Sequence, residues 1–411
     1  MDSFSPSPSQ YKGPKGILRH RCAQCSSTTS PKLLRCSGCR AVRYCNREHQ
    51  SAHYPQHKST CKAIKKARAK VAEEDHRIRN ATPDFATPAN AFETDVGHFW
   101  GFLNTRDYMR ARHYLAWRHL LFLDTLDGVQ EALEHLRDML RLNRSDNMGL
   151  RNLVPAIMLR LDLDQECYDF VKWWATCDID GNYDWGDMTL PYLNISGANV
   201  LEDPSILPDP HLEFDLIIAL LMLKLKLLVD IRNLKVTRKI LNGRSFPSEL
   251  WEPIELAVIR SPLSVKFQKE SYGSLLRTET TLLDHVRHLG ERLTKANPMF
   301  MVALFSPDQE LSASPDTYTA GSWEQVEFAL QNSYAAWWEM EGVLELLKDA
   351  RVCAIHESQE LVDEMMKDKE LMSGPASLWG RNELVVEVGT RRIWEFLPAA
   401  FGYSSHLGSL D

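Results

Sequence analysis

A mainly α fold is what this sequence predicts: a small cysteine-rich head at the N-terminus, then a large all-helical body arranged as an array of helical hairpins. Two observations carry that prediction. Six of the nine cysteines fall between Cys22 and Cys61, far denser than anywhere else in the chain. Beyond the head, apolar residues recur at three- and four-residue spacing, the period of an amphipathic helix. The 411 residues are enough for two or three domains, and 44% hydrophobic with 25% charged is an ordinary globular balance. The organisation read from sequence is a disordered tail at 1–17, a compact finger at 18–64, a basic helix and linker at 65–95, the helical array at 96–304, a loop at 305–322 and a C-terminal helical segment at 323–411.

The head comes first. Its start, Met1 to Gln10, is polar and rich in Ser and Pro and does not read as a secretory signal. Dense, evenly spaced Cys and His in a chain of that kind point to metal ligands and away from a disulfide framework. The candidates form four pairs: Cys22 and Cys25, Cys36 and Cys39, Cys45 and His49, His57 and Cys61. A Cys-x2-Cys knuckle converges two thiolates on one tetrahedral zinc at about 2.3 Å. The other two pairs are spaced i, i+4, one turn apart on a helix face, and Pro55 fits the first turn of the helix carrying the last pair. Eight ligands require two ions, because a closed structural site takes four. Spacing alone leaves open which pairs share an ion. It also leaves His53, four residues after His49, as an alternative ligand; Cys45-x3-His49 has the same span as His57-x3-Cys61, which favours His49. His20 reads as a surface residue. With all positions filled by protein, both zincs are structural and not catalytic.

The run Tyr44-Cys45, His49-Gln50, Tyr54 and His57-x3-Cys61, behind two Cys-x2-Cys pairs, resembles a MYND-type zinc finger. His49 stands where that family has Cys, and Tyr54 where it has Trp. The resemblance implies a cross-brace, with one site of Cys22, Cys25, Cys45 and His49 and a second of Cys36, Cys39, His57 and Cys61. It also implies docking of short proline-containing peptides, extended along a strand edge, with Gln50 and Tyr54 at the pocket positions. The plainer reading is that Tyr54 packs inside the finger and Gln50 is solvated. On this view zinc folds a segment with too few apolar side chains for a core, and chelation unfolds the head while leaving the body folded. A finger of this type ahead of a long helical body also resembles uncharacterised fungal MYND-domain proteins.

Charge offers a rival partner. Residues 1–80 hold 17 Lys or Arg against 5 Asp or Glu, a balance of +12, and with the whole chain at −7 the remainder carries −19. Lys62, Lys65, Lys66, Arg68 and Lys70 form a basic run just after the last ligand. It is suited to phosphate contacts or nuclear import, which makes a nuclear, nucleic-acid-associated regulator the alternative function. A solvated helix face is the plainer reading. The Cys2His2 spacing that presents a helix to the major groove is missing from the sequence.

The body reads as helices in series. Val129, Leu133, Leu136 and Leu140 mark one face; Leu150, Leu153, Ile157 and Leu161 mark the next, with Pro155 predicting a kink. Asp164 is placed to cap a third helix carrying Cys167, Phe170, Val171 and Trp174. A long apolar helix is expected from about Leu212 to Asp230, then a shorter one ending at Asn242-Gly243. Another is expected from about Glu270 to Lys295. After a Ser/Pro/Gly-rich loop at 306–322, Ser322 and Gln325 spell a capping box, with Val326, Leu330, Trp337 and Leu344 along the inner face of the helix it starts. The architecture resembles a tetratricopeptide-like array, without a clean 34-residue repeat.

Enzyme signatures are missing from the sequence. SET-type methyltransferases, some of which carry such a finger, need a Gly-x-Gly cofactor loop before it, an Asn-His motif and a later Cys-rich stretch; none is written here. His356-Glu357 starts like a zinc-protease helix, but Glu360 stands where the second His belongs. Asp178, Asp180, Asn182 and Asp184 open like a calcium loop, but Tyr183 replaces its Gly and Thr189 its Glu. The pairs Trp173-Trp174 and Trp337-Trp338 read as packing, and Cys167, Cys177 and Cys353 as buried thiols. No apolar run reaches the roughly 18 residues of a membrane span. The expectation is an intracellular, non-enzymatic interaction protein of nucleus or cytoplasm.

Overall fold

The computed structural model describes residues 17–30, 32–84, 87–206, 214–243, 246–367 and 380–406. The expected tail at 1–17 lies, but for its last residue, outside them, as does Leu212. The chain divides into two units: Ile17–Leu161 with Asp180–Asn194, and Asp162–Ile179 with Ile195–Asp411.

The first unit begins with a two-stranded antiparallel ribbon, β1 (Leu34–Arg35) and β2 (Arg43–Tyr44), pairing Leu34 with Tyr44 and Arg35 with Arg43. A 33-residue helix, α1 (Arg47–Arg79), follows. Asn46 caps it, its side chain accepting the His49 N–H at 2.8 Å. Pro55 lies inside this one helix and not at the start of a separate one, so both histidine-containing pairs draw on a single element. The buried stripe of α1 is His57, Ile64, Ala67, Glu74 and Ile78. It packs on α2 (Leu103–Tyr114) and on the π-helical turn Leu115–Leu120 that continues it.

Next comes α3 (Leu126–Leu142), capped by Thr125; the face Val129, Leu133, Leu136 and Leu140 is buried as the periodicity requires. Pro155 does not kink the following helix. It sits in the first turn of α4 (Val154–Arg160), where a missing N–H costs nothing. The segment Asp180–Asn194 is pinned to the C-terminal end of α3: Arg144 Nη1 donates to the carbonyls of Met188 (3.1 Å) and Leu190 (3.2 Å), and Tyr192 Oη donates to Leu140 (3.2 Å).

The second unit is organised by α6 (Phe214–Gly243), whose residues from Leu216 to Ile231 are all buried. The two helices expected here are one, running unbroken to Gly243. Around α6 lie α5 (Asp164–Thr176), α7 (Tyr272–Ala296), α8 (Trp323–Glu339), α9 (Val343–Glu357) and the helix Ile393–His406, while Arg381–Arg391 packs on α9. Asp164 does not cap α5. It lies within the first turn, 1% exposed, and accepts from Lys226 Nζ (2.8 Å) and Ser261 Oγ (2.5 Å). Ser322 does cap α8, accepting from the Gln325 N–H, but Gln325 reaches back to the Gly321 N–H (2.8 Å) instead of closing a reciprocal box. Leu344 belongs to α9, and the expected loop contains a short helix, Asp308–Ser312. Among the described residues no helix is long and apolar enough to cross a membrane.

Candidate metal centre

The eight predicted ligands gather into two groups of four. Cys22, Cys25, Cys45 and His49 form one, and Cys36, Cys39, His57 and Cys61 the other; within each, the donor atoms lie within 4.8 Å of one another. The pairs therefore interleave, first with third and second with fourth. Among the described residues no other group of this kind is present.

Local backbone geometry makes both knuckles alike. The Ser26 N–H donates to the Cys22 carbonyl at 2.8 Å and the Arg40 N–H to the Cys36 carbonyl at 2.9 Å. Ser26 and Arg40, each directly after the second cysteine, take left-handed φ of 59° and 57°. A non-glycine residue accepts that conformation at some cost, so the knuckle itself enforces it. The third pair is not wholly helical: Cys45 directly follows the ribbon and His49 lies in the first turn of α1. The fourth is helical throughout.

The donor sets fit tetrahedral zinc. For Zn–S of about 2.3 Å and Zn–N of about 2.0 Å, the tetrahedron's edges are about 3.8 Å between sulfurs and about 3.5 Å between sulfur and nitrogen. Cys25 and Cys45 sulfurs are 3.7 Å apart, and those of Cys36 and Cys61 3.8 Å. Cys22 Sγ lies 3.4 Å from His49 Nδ1, and Cys39 Sγ 3.3 Å from His57 Nε2. Gly38 closes the cradle: a Cβ there would stand 2.7 Å from the Cys61 sulfur.

Electrostatics differ between the sites. In the first, burial opposes ionisation of Cys22, but backbone N–H groups of Cys25, Cys45 and Gln24 bring its thiol down to about 6. In the second, burial and then repulsion from Cys36 and Cys61 push the Cys39 thiol up to about 12. Three crowded sulfurs ionise together only beside a cation. Burial, with His53 adding to it, lowers the His57 pKa and keeps the imidazole neutral, the form that ligates. The first site is the more open, with Cys25 exposed; in the second Cys36, Cys39 and His57 are buried.

His53 stands outside both groups. It lies beside the second site, its Nδ1 3.0 Å from the Tyr44 hydroxyl and its ring stacked on His57 at 5.7 Å. Tyr44 is 1% exposed. Gln50 is half-buried, and Tyr54 is 49% exposed with Lys58 Nζ 5.9 Å from its ring centre. His20 lies 3.7 Å from Asp127 and at neither site.

Sequence reasoning missed what the finger leans on. Arg43 forks onto Asp127 (Nε 2.6 Å, Nη2 2.9 Å), and Arg35 adds a third bond at 2.6 Å. Burial opposes ionisation of Asp127, but Arg43 and then Arg35 hold its carboxyl below the usual range. Arg68, read as part of a basic run, joins Glu131 (2.5 Å) to the Cys39 carbonyl. The one available signal was an acidic residue in the first turn of a helix, which does not name a partner so distant in sequence.

Two closed Cys3His sites on interleaved pairs define a cross-braced, two-zinc structural finger. More particularly, residues 22–61 match the MYND finger family, a zinc-binding protein-interaction module. A 67-residue stretch, 16% of this chain, is 33% identical to the histone-lysine N-methyltransferase SMYD3 of Homo sapiens; it spans only 15% of that relative's length. No solved structure matches the chain.

Proposed function

We propose that this protein is a non-enzymatic, intracellular scaffold or regulator whose finger docks short proline-containing peptides at Gln50 and Tyr54. One observation carries the reading. Tyr54 is a large aromatic left 49% exposed on the helix that supplies three zinc ligands, while the apolar residues Ala41, Val42 and Tyr44 of the same finger are buried. Aromatic anchors of this kind concentrate binding energy at interfaces. Methyltransferase activity is not carried over from a relative of which the chain covers 15%.

The nucleic-acid alternative loses support from the ion pairs. Arg35, Arg43, Arg68, Lys70, Arg77 and Arg79 all meet carboxylates of this chain. Fluorescence anisotropy separates the two readings, with a panel of proline-containing peptides and a DNA oligonucleotide titrated into the full chain. Peptide binding that falls about tenfold or more in Tyr54→Ala, with little salt dependence, supports docking. No peptide binding, together with oligonucleotide affinity that drops steeply with salt, favours the alternative.

A further inference from the structure

We propose that Asp127, far outside the matched segment, is a positioning residue of the second zinc site, and that zinc in that site and the folded start of α3 stabilise each other. The inference does not depend on what the finger docks. It rests on the segment Cys39–Arg43, where the knuckle leaves the site and enters β2.

Three residues of that segment are tied to α3. The Cys39 carbonyl accepts from Arg68 Nη1 (2.5 Å), whose Nε (2.8 Å) and Nη2 (2.5 Å) hold the two Glu131 oxygens. The Ala41 carbonyl accepts from Thr125 Oγ1 at 2.6 Å, and the same oxygen accepts the Gly128 N–H at 3.2 Å as the cap of α3. Arg43 makes its fork onto Asp127 from the strand. The Asp127 side chain is only 7% exposed, yet it accepts from two arginines and sits in the first turn of α3.

The knuckle holds this pattern through a left-handed residue, Arg40 (φ 57°), between the two tied carbonyls. With Cys36 and Cys39 fixed by metal, that conformation is over-determined. Without metal, only the backbone bonds of Arg40 N–H to the Cys36 carbonyl (2.9 Å) and Cys36 N–H to the Val42 carbonyl (2.8 Å) remain to hold it, and the carbonyls of Cys39 and Ala41 turn from their donors. Asp127 then keeps its burial and loses its fork, which is the costly half of breaking such a pair. Binding linkage is reciprocal: whatever zinc contributes to α3, α3 contributes to zinc. This departs from the sequence-based expectation that the head unfolds alone.

Two measurements on the full chain test it. Zinc release to a chromophoric chelator is followed in the parent, in Asp127→Asn and in Glu131→Gln. Groups that orient metal ligands from behind are worth about 10- to 100-fold in metal affinity, and about tenfold faster release is expected for Asp127→Asn, less for Glu131→Gln. Asp164→Ala, which breaks a buried pair in the other unit, serves as control and leaves release within about twofold. Hydrogen exchange in the parent before and after zinc removal needs no variant, so it stands even if Asp127→Asn folds poorly. Faster exchange in residues 126–142 of the stripped protein supports the coupling. Unchanged exchange there overturns it whatever the variants do, and so does unchanged release in a folded Asp127→Asn.

Discussion

The finger and the interior around α6 fix their backbones by opposite means. In the finger a few donor atoms hold several loops, and the apolar residues beneath them are few: Ala41, Val42, Tyr44 and Ile64. In α6 burial is distributed along the helix, and the charges drawn in with it, Lys224, Lys226 and Asp230, are each satisfied inside the unit. The difference teaches where each region is fragile. The finger fails all at once when one ligand goes; the α6 interior loses stability in increments set by whichever pair or contact is cut.

The largest effect follows directly. Cys36→Ser removes one of four donors from the buried site, whose apparent binding energy is on the order of 10–16 kcal/mol. Native mass spectrometry is expected to count two zincs in the parent and fewer in the variant. Two retained zincs would break the comparison at its root.

Cutting one strand of the α6 interior costs less. Asp164→Ala removes one of the two carboxylates that meet Lys226 Nζ, 2% exposed. A loss of about 3 kcal/mol in urea unfolding is expected, with both zincs still bound. An intermediate effect belongs to Gly38→Ala, whose new methyl would press on the Cys61 sulfur at 2.7 Å. A cost of about 1–3 kcal/mol is expected to appear as easier zinc removal by chelator, and an unaltered zinc affinity would mean the knuckle yields more than drawn.

These effects also explain what the sequence could and could not disclose. Metal ligands need particular side chains at short, fixed spacings, so all eight were legible, and the helical period located α3, α5 and α7. Helix ends were harder. Pro55 and Pro155 were assigned by local rules that tertiary context decides, and what read as two helices, one ending at Asp230 and one at Asn242-Gly243, is a single element over Phe214–Gly243. Asp164 looked like a cap because capping and burial favour the same carboxylate, and only the fold brings Lys226 to it. Asp127 and Glu131 were illegible for a plainer reason: a surface-type carboxylate in a helix carries no mark of the arginine it will meet.

The smallest effect separates the two regions by pH. Lys224 is buried, donating to the Val200 and Glu202 carbonyls and to His285 Nδ1 (3.3 Å), with the Tyr168 ring 5.6 Å away. Burial lowers its ammonium to about 8 against the pull of Glu202 and Asp203, and burial followed by Lys224 itself lowers His285 to about 4. Below pH 8 the lysine is charged whether folded or unfolded, so its contribution is constant. From 8 towards its ordinary value near 10.5, the folded chain sheds a proton that the unfolded chain keeps. Stability then rises with pH, by at most about 1.4 kcal/mol per unit. Because other groups titrate in the same range, the readout is the difference in unfolding free energy between the parent and Lys224→Met. That difference should shift in the parent's favour between pH 8 and 10 and stay level below 8. A difference that stays level throughout would mean that the two carbonyls hold the charge in place, making this part of the α6 interior as dependent on a single ion as the finger is on its metal.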